Sequence, residues 1–177
     1  MVPRKESRKN ERVLQAAIAV LVVALVFVVA GTLEARIVSA GDTAPSFSVK
    51  TDHGKTISRS DFGGKLLLVN FWATWCPPCI EELPSLNAFA RTFAPQGVVV
   101  IGISIDRNEQ VYRRFLERNS IAFETARDPE AEISGSYGTF QVPESYLIDR
   151  SGKVVEKVIS NQNWMDPIFL ARVKQML

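Results

Sequence analysis

Two cysteines stand three apart as Cys76-Pro77-Pro78-Cys79, and the chain contains no others. On a helix, positions three apart share a face, so the two sulfurs can reach one another. A thiol at the start of such a helix is favoured as thiolate by the free backbone amides and the dipole. This predicts an exposed, attacking Cys76 and a more buried, resolving Cys79 one turn in, the division that thiol–disulfide exchange requires. Other chemistries fit less well. A bridge closing so short a loop removes little chain entropy, so a passive structural disulfide would stabilise little. Zinc wants four ligands, and the chain offers two cysteines and one histidine, His53. Ile80 follows Cys79 where c-type haem attachment needs a histidine. Pro77 and Pro78 lack an N–H, leaving fewer donors for a Cys76 thiolate. A strong oxidant needs an unusually stabilised reduced form, so this dipeptide favours a reductant.

The elements that must position the pair are legible around it. Lys65 to Trp72 is a near-continuous apolar run, as expected of a strand covered on both faces. Ile80, Leu83, Leu86, Asn87, Ala90 and Phe93 recur at helical spacing, predicting a helix from about Pro77 to Phe93. Pro84 inside it should kink it. A second buried strand fits Val98 to Ser104, a second helix Gln110 to Asn119, and a last helix Asp166 to Met176. Ser145–Ile148 and Val154–Ile159 read as a strand pair joined by Asp149-Arg150-Ser151-Gly152. Phe47–Val49 and Lys55–Ile57, separated by Asp52-His53-Gly54, read as a small hairpin, and Glu130 to Tyr137 as a short inserted helix. Strands alternating with helices imply an α/β architecture with a partly parallel sheet.

Charge separates the two ends of the chain. The formal net charge is +2, yet from Gly41 onward fifteen Lys or Arg meet sixteen Asp or Glu. The surplus sits in Arg4, Lys5, Arg8, Lys9 and Arg12, directly before Val13 to Ala30, which is apolar apart from Gln15. A basic arm beside a long apolar run points to a membrane and away from nucleic acid. The positive flank puts Met1 in the cytoplasm and the remainder outside it. The expected organisation is a cytoplasmic arm at 1–12, a transmembrane signal anchor at 13–33, a tether at 34–44 and a folded domain at 45–177. A cleaved signal peptide ending near Val38-Ser39-Ala40 is the competing reading, although that site lies past Glu34 and Arg36 and the apolar run is long for a signal. Either way the folded part is exported, placing it on the outer side of a bacterial cytoplasmic membrane, in the periplasm or its equivalent.

Phe71-Trp72-Ala73-Thr74-Trp75-Cys76-Pro77-Pro78-Cys79, followed by Glu82, Leu83 and Pro84, resembles the TlpA/ResA/DsbE-type thioredoxin-like reductases. A second landmark, Tyr137-Gly138-Thr139-Phe140-Gln141-Val142-Pro143-Glu144-Ser145-Tyr146-Leu147-Ile148-Asp149 with Gly152 ending the turn, is similar to the stretch holding that family's cis-proline. The resemblance spans roughly Gly41 to Leu177. It implies a thioredoxin-like α/β fold with an N-terminal hairpin and an inserted αβ segment, preceded by the transmembrane helix. It implies Cys76 as nucleophile and Cys79 as resolving thiol, with no cofactor beyond their redox-active disulfide. It implies a cis Val142–Pro143 bond against the cysteines, exposing the Val142 backbone to a substrate peptide. Trp75, Pro77 and Pro78 complete the expected substrate side. An edge-strand proline is the alternative for Pro143, and core packing for Trp75.

Glu82 shares the helix face of Cys79, and in the family a glutamate here tunes the cysteines. A half-buried carboxylate has a raised pKa and could pass a proton to or from Cys79. A solvated helix carboxylate like Glu81 is the plainer alternative. Trp72 reads as core, and His53 as a turn residue.

The function these features predict is reduction of disulfide-containing protein substrates, with apocytochrome c during cytochrome c maturation as one pathway the resemblance suggests. A membrane electron donor of the thiol-relay type would re-reduce the pair. Two rivals remain. A peroxiredoxin-like thiol peroxidase would place its cysteine three after a threonine, whereas Thr74 is two before Cys76 and five before Cys79. A thioredoxin-fold copper-delivery protein would want a histidine ligand and wider cysteine spacing, and His53 lies in the wrong region.

Overall fold

The structure is a computed structural model that describes the backbone of residues 4–33 and 37–177, and the side chains of 13–28 and 37–177. It divides into two compact units, 1–35 and 36–177. The first holds helix α1 (Arg4–Leu33), whose side chains from Val13 to Val28 are all exposed. The basic arm lies outside the described side chains, as do residues 29–33 of the expected anchor. Among the described residues no helix is long and apolar enough to cross a membrane.

The second unit is built on a five-stranded sheet whose central strand is β3. The elements are β1 (Ser48–Lys50), β2 (Thr56–Ser58), β3 (Leu66–Trp72), α2 (Pro77–Phe93), β4 (Val98–Ser104), α3 (Glu109–Arg118), β5 (Glu124–Arg127), α4 (Glu132–Ser136), β6 (Glu144–Asp149), β7 (Val154–Ile159) and α5 (Pro167–Met176). The sheet order is β5-β4-β3-β6-β7. β3, β4 and β5 run parallel, and β6 and β7 are antiparallel to their neighbours.

Every residue of β3 is buried, as its apolar run predicts. Alternation then sends its side chains to two cores. Leu67, Val69 and Phe71 face a cluster with Ile57, Ile101, Tyr137 and Tyr146. Leu66 and Leu68 face Leu86, Phe89 and Phe93 of α2 and Trp164 and Phe169 near α5. Asn70 falls on this second face, the one that carries α2.

The resemblance implies an inserted αβ segment, but the residue pattern places no strand at β5. β5 pairs with β4 through Ile101↔Glu124 to Ser104↔Arg127, and only Thr125 and Ala126 are buried in it. The β1–β2 hairpin is fastened there: the Asp52 amide donates to the Thr125 carbonyl (2.8 Å), while Tyr112 and Thr125 hydroxyls both donate to the Asp52 carboxylate. Of the expected tether, residues 34–36 lie outside the described residues, and 37–44 pack against the domain. Val38 and Ala44 are buried, and backbone bonds join Val38 to Tyr137, Gly41 to Val154 and Ala44 to Gly152.

Candidate active site

β3 ends at Trp72, and the loop Ala73–Trp75 delivers the chain to α2, whose N-cap is Cys76 and whose first helical residue is Pro77. Proline suits that position because its missing N–H is one the helix would leave unpaired. Cys76 and Cys79 are joined as a disulfide. The Cys79 amide donates to Cys76 Sγ (3.3 Å), so one amide serves the attacking sulfur, while Pro77 and Pro78 contribute none. The two cysteines are equally enclosed, Cys76 at 3% and Cys79 at 4% exposure, so the expected difference between an exposed attacker and a buried resolver is absent in the disulfide form. The physical reason lies in their surroundings: Trp72, Ala73 and Tyr112 lie beneath them and Val142 packs against them.

The Val142–Pro143 bond is cis, at the entrance to β6. It brings the Val142 carbonyl oxygen to 3.5 Å from Cys76 Sγ. In the disulfide that sulfur carries no proton and the approach is a contact; a Cys76 thiol could donate across it. Pro143 is buried, and its carbonyl accepts from the Ser160 amide (3.0 Å). The next residue, Glu144, is buried and paired with Lys157 Nζ, which also donates to the Val38 carbonyl. The Tyr146 hydroxyl donates to the same carboxylate (2.7 Å), and burial raises the Tyr146 pKa. A satisfied ion pair therefore stands directly behind the cis-proline.

Glu82 is 4% exposed, unlike its solvated neighbour Glu81. Its Oε1 accepts from Asn70 Nδ2 (2.9 Å) and its Oε2 from the Gln162 amide (3.0 Å). Asn70 also donates to Ser145 Oγ (2.9 Å), its register partner across β3 and β6. Burial pushes the Glu82 pKa from 4.5 up to about 7, against the opposing pull of those two donors. The buried Trp164 indole N–H adds a weaker pull without forming a hydrogen bond. Among the described residues no hydrogen bond joins Glu82 to either cysteine; the carboxylate sits one turn beyond Cys79 on the same buried face.

Asp106, which the sequence reading passed over, fixes the loop before Cys76. Its carboxylate accepts from the Thr74 amide (2.9 Å), the Thr74 hydroxyl (2.7 Å) and the Ser104 hydroxyl (2.6 Å). Trp75 is 64% exposed and lines a shallow depression with Thr74, Pro77, Ile80 and Glu81. Phe140, 78% exposed, lies two residues before Val142. The structure thus brings together Cys76, Cys79 and Val142, and seats Glu82 on the same helix. Pro77 is exposed and Pro78 half-buried at the rim. Trp72 is core, and His53 meets Glu124 at 3.3 Å between hairpin and β5. Among the described residues no three His, Cys, Asp or Glu side chains converge on a metal position.

Comparison with known proteins agrees with this geometry. Residues 40–157 match the model of the AhpC/TSA family. The thiol-disulfide oxidoreductase ResA of Bacillus cereus is 38% identical over 122 residues, covering 69% of this chain and 70% of the relative. StoA from Bacillus subtilis superposes with a TM-score of 0.63 at 25% identity, covering 75% of this chain and 96% of its own. A Chlorobium tepidum protein assigned as the thiol:disulfide interchange protein DsbE does so with 0.67 at 29%, covering 78% and 95%.

Proposed function

The chain belongs to the TlpA/ResA/DsbE-type family of thioredoxin-like thiol-disulfide oxidoreductases, and we propose that within it this member is a membrane-anchored reductase of protein disulfides outside the cytoplasm. The observation that carries the chemistry is the Cys76–Cys79 pair at the α2 N-terminus with Val142 O 3.5 Å from Cys76 Sγ. In the reduced protein the Cys76 thiolate attacks one sulfur of a substrate disulfide. A mixed disulfide forms and the other substrate sulfur leaves as thiolate. Cys79, as thiolate, then attacks Cys76 Sγ, releasing the second substrate sulfur. Two electrons have moved from the cysteine pair to the substrate, and an external dithiol of the membrane thiol-relay type returns the pair to its reduced form.

Glu82 is suited to hold the proton that Cys79 must lose. A carboxylate with a pKa of about 7 is divided between its two forms near neutral pH, so it can both accept and return a proton. Val142 offers backbone groups that an extended substrate segment can pair with beside the reacting sulfur.

The direction and the location rest on sequence. Pro77 and Pro78 deny the Cys76 thiolate two amides, which favours donation of electrons. The apolar run from Val13 to Ala30 behind the basic arm supports an anchor with Met1 inside, and the described side chains of α1, Val13 to Val28, are exposed and apolar apart from Gln15. Apocytochrome c remains the client that the family suggests. The test is to mix the reduced full chain, and its Cys79→Ser and Cys76→Ser variants, with a peptide disulfide. The wild type should yield two free peptide thiols per protein. Cys79→Ser should stall as a mixed disulfide through position 76, and Cys76→Ser should do neither. Equal trapping by both variants would contradict the assigned roles.

A further inference from the structure

The surface beside the attacking cysteine continues along α3. Thr74 and Trp75 line a depression of about 520 Å³ with Arg107 and Val111. Thr74 and Val111 also line a neighbouring one of about 240 Å³ with Arg114 and Arg118. Sharing those walls, the two make one trough leading away from the residues that precede Cys76. Its lining includes exposed apolar surface, with Trp75 at 64% and Val111 at 40% exposure. Arg107, Arg114 and Arg118 are all exposed.

These three guanidinium groups are uncompensated. The ion pairs of this region use Arg113, with Glu109 and Asp52, and Arg127, with Glu109; none among the described residues takes Arg107, Arg114 or Arg118. Asp106 is the one acid in the lining, and both its oxygens are occupied by Thr74 and Ser104. Glu117 and Glu130 are exposed nearby in the chain but line neither depression. Unpaired cations on one wall beside apolar ground attract a carboxylate-rich segment, because each guanidinium can take a carboxylate on two parallel bonds.

We propose that this trough docks the disulfide substrate, and that the substrate carries an acidic segment, interrupted by an apolar residue, next to the cysteine that Cys76 attacks. The apolar residue lies against Trp75 and Val111 while the acids meet Arg107, Arg114 and Arg118. Steering of this kind acts chiefly on the rate of encounter and fades as salt screens it. The inference rests on the exchange reading given above.

The experiment uses the reduced full chain and three peptides, each dimerised through a single cysteine and identical except for a flanking tract of Asp, Ser or Lys. The Asp peptide should be reduced about tenfold faster than the Ser peptide at low ionic strength, the Lys peptide more slowly, and the differences should shrink at high salt. In R107E/R114E/R118E the Asp-to-Ser ratio should fall below one. In K65E/K153E/K174E, which changes net charge equally at exposed positions that line neither depression, it should stay near the wild-type value. Single Arg→Gln changes, which burden folding least, should each lower the ratio by about twofold. Equal wild-type rates with the Asp and Ser peptides would overturn the inference, as would an equal fall of the ratio in both triple variants. Failure of the reduced wild type to reduce any of the three would overturn the exchange reading itself, an outcome distinct from equal rates.

Discussion

Glu82→Gln should change the pH dependence of stability in a direction opposite to that of most carboxylates. An acid paired in the folded state stabilises the fold as pH rises; Glu82 does the reverse. Burial moves its pKa up from 4.5 to about 7, so the folded protein holds this proton more tightly than the unfolded chain does. Its contribution is therefore complete below about pH 4.5 and lost as pH rises through about 7. At about 1.4 kcal/mol per pKa unit the whole loss is about 3.5 kcal/mol. Most of it, about 2.5 kcal/mol, falls between about pH 5 and 8. Glutamine is neutral throughout. It can keep the bond from the Gln162 amide, and its own NH2 can meet Asn70 if that amide turns to present its oxygen. Urea unfolding of the oxidised protein across this pH range, followed by tryptophan fluorescence, isolates the effect as the difference between variant and wild type. The variant should gain about 2.5 kcal/mol on the wild type from about pH 5 to 8. A flat difference, or one of opposite sign, would refute the buried-acid reasoning.

Asp106→Ala strips the acceptors from the Thr74 amide and hydroxyl, so it should lower stability by about 1–3 kcal/mol and slow peptide-disulfide reduction; melting and rate are measured on the same sample. At Gly102 in β4 an added Cβ would lie 2.9 Å from Phe123 Cε2 and 3.0 Å from Trp72 Nε1. Gly102→Ala should then cost about 1–3 kcal/mol in denaturant unfolding by crowding the floor under the cysteines. Glu144→Gln leaves the Lys157 ammonium without its buried partner and should cost about 3–5 kcal/mol by the same measurement.

How far the sequence reached is clearest at particular residues. The bounds of α2 were readable because a proline opens it and apolar spacing runs unbroken to Phe93. The cis bond at Pro143 followed from resemblance, not from composition. β5 left little signal, since Glu124-Thr125-Ala126-Arg127 has no apolar alternation, although Asp128-Pro129 mark a turn directly after it; β4 defines it by pairing. Asn70 did leave one: a lone amide inside Leu-Leu-Leu-Val-Asn-Phe-Trp, in a strand buried on both faces, must find polar partners, and it finds Glu82 and Ser145. Asp106 reaches back to Thr74 in another loop, and Glu144 meets Lys157 across the β6–β7 pair; ordinary surface residues have the same appearance in a sequence. The equal burial of the two cysteines depends on Trp72, Tyr112 and Val142, none of which lies between them.

A Cys76/Cys79 pair that gives electrons to disulfides must have a low reduction potential. Equilibrating the full chain with dithiol buffers of known poise, and counting oxidised and reduced protein, measures its reduction potential directly. The potential should lie at or below about −230 mV, in or below the range of glutaredoxins and thioredoxin. A value near about −120 mV would make the protein an oxidant and contradict the reductase assignment.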